Sequence, residues 1–201
     1  MTKSKMMLCG AVIVAVSTVA YAQQAQTIRL RGTIEKVDGN TLTLKTADSK
    51  AKLTLAANAQ IIAVVKASMA DIKANTFLGS AAMPQPDGTQ KALEVHIFPE
   101  AMRGTGEGHR PYTTPGSTMT NGAVDGAAVT SVDGGSIKVK YKDGEKTIVV
   151  PPNTPIMRYD IGNAADLKPG AAYTVLAATK NPDGTFEALR INVGRDGVVP
   201  Q

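Results

Sequence analysis

Apolar and polar residues alternate along this chain in short runs, and turn-forming residues separate the runs. Ile28, Leu30 and Ile34 fall at even spacing, Asp38-Gly39 supplies a tight turn, and Leu42 and Leu44 resume the alternation. Leu53 and Leu55 begin a third strand, which Ile61 to Val65 extend. A short helical turn is predicted around Ala67 to Ile72. Phe77 to Met83 and Lys91 to Phe98 then read as a hairpin across Pro86-Asp87-Gly88. A second set follows in the same order. Val129, Val132, Ile137, Val139, Ile148 and Val150 lead, Asp166-Leu167 marks a helical turn, and Tyr173 to Ala178 pairs with Phe186 to Val193.

The two sets share more than rhythm. Val37-Asp38-Gly39 is echoed 95 residues later by Val132-Asp133-Gly134, and Asp71-Ile72-Lys73 at the same offset by Asp166-Leu167-Lys168. Pro86-Asp87-Gly88-Thr89 returns 96 residues later as Pro182-Asp183-Gly184-Thr185. Three echoes in one order predict an internal duplication. The expected fold is mainly β: two tandem small OB-like β-barrels, each with one short helical turn, in place of a small open sandwich. The expected spans are 23–98 for the first barrel, 99–122 for a Gly/Pro-rich connector loop and 123–201 for the second barrel.

The motifs RGTIEKVDGNTLTL, VVKASMADIK and MPQPDGTQKALEVHIFPEAMRGTGEGHRP resemble an uncharacterised family of exported bacterial proteins with tandem OB-like domains. The resemblance implies fold and export. It brings no catalytic residues.

Residues 1–22 read as a signal peptide. Lys3 and Lys5 form its basic start, Met6 to Val19 its apolar stretch, and Ala20-Tyr21-Ala22 its cleavage site. The expected location is periplasmic or secreted, with no membrane span after signal cleavage. Cleavage removes Cys9, the single cysteine, so thiolate metal ligation and disulfides are excluded from the mature chain. The formal charge of +5 falls to +3 with the loss of Lys3 and Lys5, too mild for a polyanion-binding protein. No tryptophan and only three phenylalanines leave little to stack bases, so no nucleic acid partner is expected.

The candidate chemistry lies at the end of the first repeat. Glu94 and His96 occupy the polar face of its last strand, where the second repeat carries Arg190 and Asn192. Glu100, Arg103, Glu107, His109 and Arg110 follow in a loop whose Gly104, Gly106 and Gly108 permit turns. As a ligand-binding set these seven residues suit an envelope protein or glycan. As a metal set, His96, His109 and Glu107, with the Met102 thioether nearby, suit zinc or copper. The histidines stand thirteen positions apart, a spacing that matches no metal motif. A structural connector, with its charges paired locally, is the competing account of the loop. Gly104-x-Gly106-x-Gly108 is followed by Arg110-Pro111, so no helix N-terminus can hold phosphate there. No nucleophile has an orienting acid, and no cofactor is implied outside the metal reading. The sequence therefore predicts a non-catalytic envelope protein that binds or scaffolds, with periplasmic metal binding as the alternative.

Overall fold

The computed structural model describes residues 27–126, 129–131 and 134–200. The predicted signal peptide and the Val132-Asp133 part of the first echo lie outside the described residues. The fold is mainly β, as the alternation predicts. The first half contains β1 (Thr27–Asp38), β2 (Thr41–Lys45), β3 (Lys50–Lys66), β4 (Phe77–Pro84) and β5 (Gln90–Ile97). Next come β6 (Gly108–Pro111), β7 (Thr118–Val124), β8 (Val129–Ser131), β9 (Gly134–Tyr141) and β10 (Gly144–Val150). β11 (Ile156–Ile161), β12 (Ala172–Lys180) and β13 (Phe186–Gly194) complete the chain. No described helix is long and apolar enough to cross a membrane.

The turns form where their residues demand. Gly39 takes φ +59° between β1 and β2, a conformation glycine adopts without strain. Asp87 Oδ1 accepts from Thr89 N at 2.9 Å in the β4–β5 turn, and Asp183 Oδ1 accepts from Thr185 N at 2.9 Å in the β12–β13 turn. Single 3-10 turns at Met69–Asp71 and Ala164–Asp166 precede those hairpins. In each, an aspartate accepts from a backbone N–H three residues earlier, Ser68 at 2.8 Å and Asn163 at 2.9 Å.

Five strands close into a barrel: β1 pairs with β2 and β12, β12 with β13, β13 with β3, and β3 with β2. Ile34, Leu42, Leu44, Leu53, Tyr173 and Ile191 fill it. The additional strands run in the order β10-β9-β7-β4-β5, and two parallel residue pairs, Ile148 with Gln90 and Val149 with Lys91, return β10 to β5. This second circuit surrounds Leu78, Val95, Ile137, Val139 and Ile148. β11 joins the two, antiparallel to β3 and parallel to β5. A third apolar cluster of Ile62, Val64, Met102, Met157 and Tyr159 lies at this junction.

The strands do not stay within the expected spans. The barrel started by β1–β3 is completed by β12–β13 from the far end of the chain, while the β4–β5 hairpin joins β7 and β10. Alternation specifies which face of a strand is buried. It does not specify which of two similarly patterned hairpins supplies the neighbour. Residues 99–122 are also no mere loop, because they contain a 3-10 turn at Glu100–Met102, β6 and most of β7. β7 buries Thr120 and Asn121, and those polar residues mask it as a strand in the sequence.

One face assignment changes as well. The register slips between Ala81 and Ala82 opposite Ala92 to Glu94, and again between Ala188 and Arg190 on β13. These bulges break the alternation and turn Leu93 and Leu189 outward, at 43% and 64% exposure. Beyond the bulge, Glu94 and His96 are buried, not solvated, at 9% and 5%.

Candidate functional site

Glu94 and His96 leave the second circuit on the outer face of β5 and meet the junction strand β11. His96 is in register with Met157, and its ring stacks on Tyr159 with centroids 5.0 Å apart. The Tyr159 hydroxyl lies 3.1 Å from His96 Nδ1. Phe98 meets Tyr159 edge-on at 5.3 Å, and Arg190 stands 5.9 Å over the other ring system of this stack, that of Tyr159.

The other wall comes from the barrel. Arg31 on β1 is in register with Thr174 on β12, and Thr174 with Asn192 on β13. β1 and β13 are both antiparallel to β12 and run the same way, so Arg29, at a bulge two residues before Arg31, and Arg190, two residues before Asn192, lie toward the same end of these strands. About 10 Å separates β1 from β13 across β12, a span that long guanidinium side chains close from either side. A cleft of about 330 Å³ is lined by Arg29, Arg31, Glu94 and Tyr112. One of about 460 Å³ is lined by Glu187, Arg190, Asn192, Leu176 and Leu189.

Burial dominates the electrostatics. It pushes the His96 imidazole down to about 4, with Arg29 and Arg190 adding to the effect, so His96 is neutral at pH 7. Burial raises the Glu94 carboxyl, against the pull of Arg29 and Arg31. Burial also raises the Tyr159 phenol, helped by the Glu94 charge, which keeps its proton in place. Glu94 Oε2 lies 3.7 Å from His96 Nε2, too far for a hydrogen bond. That acceptor nevertheless favours the tautomer with hydrogen on Nε2, with Tyr159 donating to Nδ1. Arg190 Nε donates to Asn192 Oδ1 at 3.2 Å, which orients the amide and leaves Nδ2 as a donor. His96 Nε2, Asn192 Nδ2 and Arg29 Nε are all buried and have no hydrogen-bond partner among the described residues. Each such donor costs about 1–3 kcal/mol unmet, a cost that an acceptor entering the site removes.

The remaining candidates do not join this cluster. His109 is in register with Thr120, Thr120 with Ser80, and Ser80 with Val95, so it lies three strands from β5 in a row adjacent to that of His96. Rows one residue apart face opposite sides of a sheet, so the two imidazoles do not converge. His109 Nδ1 is 2.8 Å from Thr120 Oγ1, and its ring stacks on Tyr141. Glu107 accepts from Lys142 N at 3.0 Å. Among the described residues no group of three or more His, Cys, Asp or Glu can hold a metal ion. The zinc or copper set of His96, His109 and Glu107 therefore lacks its geometry.

The loop charges are spent on the loop. Arg103 forks onto Glu100 at 2.5 and 2.8 Å and donates to Asn75 O at 2.9 Å. Arg110 donates to Gly106 O at 2.6 Å, and Asn121 Nδ2 to Thr105 O at 2.9 Å. Glu100, Arg103, Glu107 and Arg110 thus fix the path of the chain from β5 to β7. Of the seven candidates, Glu94 and His96 alone enter the junction. Sequence reasoning missed Arg29, Arg31 and Tyr159 as their neighbours. It did place Arg190 and Asn192 at the positions equivalent to Glu94 and His96, and that equivalence was the signal. No family model, curated protein or solved structure matches the chain.

Proposed function

We propose that the chain is a non-catalytic binding protein of the cell envelope, exported to the periplasm or secreted by the signal peptide of residues 1–22. Its recognition surface is the junction where Glu94 and His96 face Arg190 and Asn192. The observation that carries this reading is the set of buried, unpartnered donors on Arg29, His96 and Asn192. A site organised to hold a ligand leaves such groups waiting, whereas a structural core satisfies them. Proton-transfer chemistry fits poorly here. Glu94 and His96 are not hydrogen-bonded, and Tyr159 keeps its proton.

We further read the two circuits as OB-like barrels from a duplicated unit whose hairpins have been exchanged, in keeping with the family resemblance. The matching aspartate turns, capped 3-10 turns and bulges at Leu93 and Leu189 support that reading.

Native mass spectrometry of the protein purified from the envelope fraction tests the function. The expected result is a bound ligand in the wild type that is absent from the His96→Ala/Arg190→Ala double variant. A ligand retained unchanged by the double variant overturns the assignment of this surface, as does a wild type that binds nothing from that fraction.

A further inference from the structure

The charges at the junction are unbalanced. Arg103, Arg158 and Arg195 each hold a carboxylate within ion-pair distance, on Glu100, Asp160 and Asp166. Among the described residues Arg29, Arg31 and Arg190 have no carboxylate within ion-pair distance; Arg29 and Arg31 line one cleft with Glu94, and Arg190 stands over Tyr159. Three guanidiniums therefore outnumber the two carboxylates of these clefts, Glu94 and Glu187, and burial biases the Glu94 carboxyl toward its protonated form. A half-buried excess of positive charge attracts an anion. The unmet groups agree in sign, because Arg29 Nε, Asn192 Nδ2 and His96 Nε2 are all donors in the assigned tautomer and amide orientation. Donors alone, with guanidiniums beside them, match an oxyanion, which accepts at every lone pair.

We propose, on the strength of the binding role assigned to this junction, that its ligand is an oxyanion, a carboxylate or phosphate group, held between Arg29 and Arg190 with Asn192 and His96 donating. Arg31 supplies a third positive charge in the cleft it lines with Arg29 and Glu94. Leu176 and Leu189 stand exposed beside Arg190, at 50% and 64%, and can cover an apolar portion of the same molecule. Glu94 then acts against affinity: it tunes the site by opposing the anion.

Calorimetric titration of the full mature chain at fixed ionic strength tests this with inorganic phosphate, acetate and octanoate as probes. Saturable 1:1 binding of at least one probe is expected. Arg29→Gln and Arg190→Gln should each weaken it at least tenfold, while Lys138→Gln, on β9 away from the junction, leaves it unchanged. Glu94→Gln should tighten it several-fold, an inversion that a merely structural Glu94 does not produce. Preference for octanoate over acetate identifies an anion carrying an apolar chain, and equal binding identifies a bare oxyanion. Both support the site. Absence of saturable binding by all three probes overturns the proposal, and so does affinity indifferent to both arginine changes. If either variant fails to fold, the ¹⁵N signal of His96 Nε2 in the wild type decides: it must shift on titration, and a static signal overturns the proposal. An uncharged ligand found on the native protein, lost with His96→Ala/Arg190→Ala, removes the oxyanion and leaves the binding surface standing.

Discussion

Acidification should destabilise this protein through His96 before its carboxylates matter. The imidazole is 5% exposed, and its protonation in the folded chain falls from the ordinary 6.5 to about 4. Between those values the unfolded chain binds a proton that the folded chain does not. Its contribution to stability is therefore complete above pH 6.5 and is lost as pH falls toward 4. The shift corresponds to about 3 kcal/mol. For a chain of this length, that lowers the melting temperature by roughly 6–12 °C.

Scanning calorimetry of the wild type and His96→Gln from pH 7 to 4 isolates the effect. Glutamine can still accept from the Tyr159 hydroxyl, and the other ionisable groups are common to both proteins. Glu94, which faces the ring, is raised and so acts with the opposite sign, gaining stability for the fold as pH falls. Arg29 and Arg190 oppose protonation of the ring in the wild type. His109 is lowered as well, by burial and by Lys146, in both proteins alike. Asp71, Asp166 and Asp183, all lowered by hydrogen bonds, release their contributions at still lower pH. The stability difference between wild type and variant should shrink by about 3 kcal/mol across the window. A flat difference, or a His96 ring that titrates near 6.5 by NMR, refutes the burial argument.

Three other outcomes follow from the fold and the site. Residues 27–98 expressed alone should form a dimer, each copy lending its β4–β5 hairpin to the barrel of the other. Light scattering that shows a cooperatively folded monomer contradicts the exchange. Ile97→Ala should cost about 2–5 kcal/mol in urea denaturation, whereas Leu93→Ala, at the bulge, should stay within about 0.5 kcal/mol. Equal costs would mean that the alternation continues through position 93. Zinc and copper titrations of chelator-treated protein should leave its melting temperature unchanged, and a rise abolished by His96→Ala/His109→Ala would restore the metal reading.

What the sequence made legible was local. Alternation and turn chemistry located the β1–β2, β4–β5 and β12–β13 hairpins and the turns at Asp71 and Asp166, because each depends on residues close in the chain. Pairing partners were hidden for a physical reason. Leu53 and Leu55 on β3 present the same pattern to β13 as they would to β5, so the choice is made by the whole chain. Leu93 and Leu189 misled because a bulge inserts one residue without changing the composition. The metal set failed because His96 and His109 are close in sequence, but β4 and β7 intervene in the sheet.

The proposed exchange of hairpins would also explain why a site forms at the junction at all. Glu94 and His96 on β5 hold the same places in their hairpin as Arg190 and Asn192 hold on β13, 96 residues later. In two separate barrels these pairs would face solvent independently. β11, paired to β5 on one edge and to β3 on the other, brings the β5 pair against the wall that carries the β13 pair. Two identical Glu-His pairs would then bury two carboxylates together, a repulsive arrangement. An arginine and an asparagine in one half turn that juxtaposition into a donor-lined cleft of net positive charge. Arg190→Glu tests this directly, by making the two halves alike in charge. It should raise the Glu94 carboxyl further and destabilise the protein at pH 7 more than at pH 4, where both carboxyls take up protons. Equal destabilisation at the two pH values would show that Arg190 and Glu94 do not share one electrostatic site.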